Sequence, residues 1–109
     1  MSKDWRAYAE HILAVVDKLA VIQQRGDLVQ DSILYDAALR NLHTLSEATQ
    51  KLPDSQKSKY PEIPWRDISG FRNILVHNYL GEIDPLTVKG VIEQRLEPLA
   101  NAVTEMLES

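Results

Sequence analysis

The sequence predicts an all-α protein, an antiparallel bundle of four long helices. Large apolar residues recur at steps of three and four in four segments, no segment alternates with period two long enough to make a strand, and proline or glycine separates the segments. The first stripe is Trp5, Tyr8, Ile12, Val15, Leu19 and Ile22, and Gly26 marks its end. The second is Leu34, Ala38, Leu42, Leu45 and Leu52, stopped by Pro53. Both helices are long enough to pair antiparallel. Lys51 to Pro64 holds three prolines among lysines, serines and acidic residues, which reads as an exposed connection. A third helix begins at Trp65, directly after Pro64, with Ile68, Phe71 and Leu75 as its apolar side. Gly81 and the Asp84-Pro85 pair mark the next turn, where Asp84 suits an N-cap and Pro85 the first helical position. The last helix carries Val88, Ile92, Leu96, Leu99, Val103 and Met106. Pro98 should kink it or split off a fifth segment.

These 109 residues suffice for one compact domain spanning residues 1–109 and are too few for two. The chain has no cysteine, so neither a disulfide framework nor thiolate zinc chemistry is available to it. The opening MSKDWRAYAEH turns polar too early for a signal peptide, and no apolar run approaches the roughly 18 to 20 residues that span a bilayer. A cytoplasmic protein without membrane contact is expected. With 12 basic against 16 acidic residues the formal charge is -4, so any polyanion must be met by a local cluster rather than by the overall field.

The informative stretch is FRNILVHNYLG, Phe71 to Gly81. At about 100° per residue, Ile68, Phe71 and Leu75 share one direction, Asn73 and His77 lie roughly opposite, and Arg72 falls on a flank. On spacing alone these are solvated residues near a helix C-terminus, where a cation suits the dipole. Tyr79, taken alone, is an amphipathic residue with a buried ring and a wet hydroxyl.

Pro64-Trp65, Ile68, Gly70, Arg72-Asn73, Leu75, His77 and Tyr79 together resemble the signature of the HepT-like branch of the HEPN superfamily, the toxin half of the HepT–MntA type of toxin–antitoxin pair. The similarity extends to Arg40-Asn41-Leu42, Glu47-Ala48, Asp84 and the Leu96 to Leu99 region, with Ser46 standing where many relatives have glycine. The resemblance implies a helical homodimer whose Arg-x4-His motifs meet in a shared cleft. It also implies a metal-independent ribonuclease with RNA rather than DNA as substrate and no cofactor. The motif tyrosine, Tyr79, is then the site where a partner minimal nucleotidyltransferase, MntA-like, attaches AMP.

Such chemistry needs a base for the 2′-hydroxyl proton, an acid for the leaving 5′-oxygen and a cation for the phosphorane. Histidine exchanges protons near neutrality and arginine offers paired donors to phosphate, so His77 suits acid–base work, Arg72 suits the scissile phosphate, and Asn73 suits orienting either. Asp36, Arg40, His43 and Glu47 form a second polar stripe at steps of four, three and four. A solvated face explains it; by the resemblance, Arg40 and Glu47 line the cleft or support Arg72. Metal binding is not expected: His43 and Glu47 are four apart, but His11 lies on another helix and no Glu-x-x-His pair repeats. Lys51, Lys57 and Lys59 would extend a phosphate track or belong to a mixed, solvated loop. Two rivals remain: a non-catalytic subunit binding a nucleotide or the partner enzyme, and a helical scaffold whose motif serves only the dimer.

Overall fold

The computed structural model describes residues 4–77 and 84–109, with the side chains of residues 72–77 excepted. Five helices follow in order: α1 (Trp5–Arg25), α2 (Ser32–Gln50), α3 (Asp54–Lys57), α4 (Trp65–His77) and α5 (Pro85–Glu108). No strand occurs among the described residues.

Local chemistry sets the helix ends. Asp4, Asp31 and Asp84 each stand at an N-cap, where a carboxylate oxygen accepts from Arg6 N–H, from Ile33 and Leu34 N–H, and from Leu86 N–H at 3.0 to 3.3 Å. Each such cap contributes about 1 kcal/mol by satisfying a backbone donor that the helix leaves open. At the end of α1 the chain passes close to α2: a Cβ on Gly26 would meet Leu34 Cδ1 at 2.8 Å, so a larger residue there would have to push that side-chain end aside. That close approach lets α2 turn back along α1.

The predicted stripes are the core. Ile12, Val15, Leu19 and Ile22 of α1 close against Ala38, Leu42 and Leu45 of α2 and against all six predicted residues of α5. Trp5, Tyr8, Leu34, Ile68 and Phe71 are half-buried around this cluster. Leu75 belongs to the side chains outside the described set. α1 packs on both α2 and α5, whereas α4 is carried on α2.

Two expectations are corrected. Pro98 lies inside α5 without splitting it, and the short fifth helix is α3, in the connection. Pro98 deprives the Gln94 carbonyl of its donor, but both residues are exposed, so water can take that bond while Leu96, Leu99 and Val103 hold the helix to the core. The connection is also more packed than its composition suggested: Leu52 and Ile63 are buried, and Trp65 Nε1 donates to the carbonyls of Lys57 and Tyr60, both at 3.1 Å. Lys57 is turned inward, its ammonium donating to Thr49 O at 3.3 Å and pairing with Asp54 at 3.8 Å. It caps the end of α2 and is not part of a phosphate track.

Candidate active site

The site is built on how α4 meets α2. Thr49 and Ser46 are fully buried on α2, and their hydroxyls donate back to the carbonyls of Ser46 and His43 at 2.7 and 2.9 Å. The single proton of Thr49 is thus committed, so in its 3.1 Å contact with Ser69 Oγ on α4 the serine is the donor. Gln50 Nε2 adds a bond to Ser69 O at 3.0 Å. Ser69 is therefore the anchor that fixes which face of α4 looks at α2.

The motif continues the same helix. Arg72, Asn73, Val76 and His77 follow Ser69 by three, four, seven and eight residues within α4. Arg72 and His77 are separated by about 7.5 Å along the helix axis. The side chains of Arg72, Asn73 and His77, and the whole of Tyr79, lie outside the described residues.

α2 supplies the other bank of the seam between the two helices. Glu47 and His43 lie on this helix, two and six residues before the Thr49 that meets Ser69. Arg40, a turn earlier on α2, is exposed. His43 is half-buried, and its Nε2 lies 3.8 Å from Glu47 Oε1, beyond hydrogen-bond length. This Nε2 is buried and finds no hydrogen-bond partner among the described residues. His43 is thus more than a member of a solvated face. Sequence reasoning named His43 only as part of a polar stripe and missed Thr49 and Ser69; for these two the available signal was the run of small hydroxyl residues beside the apolar stripe of α2.

Among the described residues, no three His, Asp or Glu side chains come together as metal ligands, and no helix is long and apolar enough to cross a membrane.

Fold and seam define a class: a bundle of helices with an Arg-x4-His motif at the end of one helix and a polar helix beside it. The family model described as "Ribonuclease HepT-like" matches residues 9–106, and the chain belongs to that family. Relatives span it well. A protein of Caldanaerobacter subterraneus subsp. tengcongensis named "Putative RNase" is 32% identical over 107 residues, covering 94% of each chain. The "Probable ribonuclease HepT" of Thermococcus cleftensis is 29% identical over 84 residues, covering 74% of this chain and 76% of its own. A Methanocaldococcus jannaschii protein named "Gamma-glutamylcyclotransferase and putative RNase" is 28% identical over 111 residues, 99% of this chain and 50% of its own, so this chain spans about half of that relative's length. No solved structure matches.

Proposed function

We propose that this chain is a single-domain, metal-independent endoribonuclease, the toxin of a toxin–antitoxin pair acting in the cytoplasm. The observation that carries the reading is the Arg72 and His77 pair on one helix, inside the family segment and within the eight residues that follow the Ser69 contact with α2. The 2′-oxygen of the RNA attacks phosphorus, its proton passes to a base, the bond to the 5′-oxygen breaks, and that oxygen takes a proton from an acid. His77 serves as one of these two groups, worth about 10²–10⁴-fold in rate. Arg72 holds the phosphate with paired donors and keeps its charge through the cycle. Asn73 orients His77 or the phosphate, and Glu47 and Arg40 support Arg72 from α2.

Two copies of the chain share the cleft, so a second His77 supplies the complementary acid or base. A minimal nucleotidyltransferase neutralises the toxin by attaching AMP to Tyr79, seven residues beyond Arg72, where the added anion competes with RNA phosphate for the same guanidinium.

The test is RNA cleavage in EDTA by purified wild type and by His77→Ala, with product ends identified. Cleavage by the wild type alone, leaving 2′,3′-cyclic phosphate, is expected; dependence on added magnesium would contradict the mechanism. The formal charge of -4 favours a second reading, a non-catalytic subunit that binds a nucleotide or the partner enzyme. Wild type shown by intact mass to carry no AMP, yet inert on several cellular RNAs, would support that reading instead.

A further inference from the structure

On the side of α4 away from Ser69, a pocket of about 410 Å³ opens between α2, α4 and α5. Leu42, Ile68, Phe71, Val91 and Leu96 give it apolar walls, and the half-buried Phe71 offers it an aromatic ring. Gly70 also lines the pocket, and a Cβ on it would meet nothing within 4 Å. Its backbone does not have positive φ. Neither packing against the described residues nor backbone geometry therefore calls for a helix-weakening glycine at this position. What its missing side chain does is keep the pocket open beside Phe71.

The rim is charged. Arg66 and Arg95 are exposed, line the same pocket, and make no ion pair or hydrogen bond among the described residues. Asp67 also lines it, which leaves an excess of one positive charge around an apolar interior. A flat, apolar body joined to an anion complements that arrangement, and a nucleotide has both parts.

We infer that this pocket holds an unstacked base of the RNA strand, stacked on Phe71, with Arg66 and Arg95 on the neighbouring phosphates. The inference rests on the ribonuclease reading and deepens it by naming single-stranded RNA as the substrate class. Bases can be splayed onto aromatic rings only where they are not already paired, and such stacking accepts any base. Phe71 and Arg72 are adjacent on α4 but about 100° apart around it, so a strand with a base in this pocket and its scissile phosphate at Arg72 wraps around the helix.

Binding, read apart from cleavage, tests this. Fluorescence anisotropy of a labelled single-stranded RNA octamer is measured in EDTA with His77→Ala as a non-cleaving background, using the intact octamer and versions with an abasic site at each position in turn. One abasic position should weaken binding about tenfold. Adding Gly70→Leu, which fills the pocket, should weaken the intact octamer by the same factor and abolish the effect of that abasic site. Arg95→Ala should weaken intact and abasic octamers alike and reduce the salt dependence. Gly70→Ala, which narrows the pocket least, guards against misfolding of the larger variant and should give an intermediate loss.

Unchanged affinity in a folded Gly70→Leu protein, or no abasic position coupled to it, would overturn the inference. So would a change of mass in sedimentation without a change in RNA affinity, since the pocket would then receive a second copy of this chain. Wild type that binds with the predicted coupling but never cleaves leaves the pocket standing and removes the ribonuclease reading. Wild type that cleaves without the coupling does the reverse.

Discussion

α4 and α5 both follow a proline-marked turn and both carry a clear apolar stripe, yet they are held in different ways. α5 buries seven side chains, with Val88, Leu99, Val103 and Met106 wholly enclosed. In the described part of α4, Trp65, Ile68 and Phe71 are only half-buried, and the helix is pinned to α2 by Ser69. The contrast separates two tasks. α5 and α1 supply the burial that stabilises the fold, while α4 stays near the surface, where the groups beside it can meet a ligand. Altering α4 should therefore change chemistry more than stability, and altering α5 the reverse.

The largest expected effect is on the α4 side. His77→Ala should lower the rate of RNA cleavage by about 10²–10⁴-fold. Its urea unfolding midpoint should stay close to wild type; a large drop would break the division. Next comes the α5 side: Leu99→Ala should cost about 2–5 kcal/mol in urea unfolding, because a fully enclosed side chain is lost. Cleavage per folded molecule should hold at temperatures where that variant remains native.

A smaller effect sharpens the seam itself. Thr49→Val should cost about 1–2 kcal/mol by removing the acceptor for Ser69, and should also lower cleavage, because the register of α4 on α2 is loosened. Full activity in that variant would show that the anchor does not position the motif. Asp84→Ala, which removes the side-chain cap at the start of α5, should cost about 1 kcal/mol of stability in urea unfolding.

The smallest effect is alkaline. Desolvation, then the carboxylates of Glu105 and Glu62, raise the Tyr60 phenol above its usual 10.0. The unfolded chain then loses this proton first, so stability falls as pH rises from 10.0 towards the raised value. Tyr60→Phe should make that fall shallower in pH-dependent urea unfolding. A second tyrosine titrating still higher in ultraviolet difference spectra would reassign the effect.

Most of the fold was legible in the sequence. Gly26, Pro64-Trp65 and Asp84-Pro85 mark real boundaries, and the stripes of α1 and α5 are core residues, because periodicity and caps act between residues a few positions apart. The placing of Arg72, Asn73 and His77 on one helix was legible too. Lys57 was misread, since composition cannot show that an ammonium folds back onto the end of the preceding helix. The stripe of Arg40, His43 and Glu47 was read as a single face, although the helix buries the Nε2 of His43 and leaves Arg40 exposed.

The sequence by itself determined four long helices, their limits, their buried sides and the family to which they belong. These follow from local spacing and from motif residues close together in the chain. Only the tertiary structure decided that Ser69 meets Thr49 across twenty positions, that Pro98 stays inside one helix, and that Gly70 opens onto a pocket bounded by α5. Each depends on where distant surfaces come to rest, and that is set by the packing of the whole core rather than by any one segment.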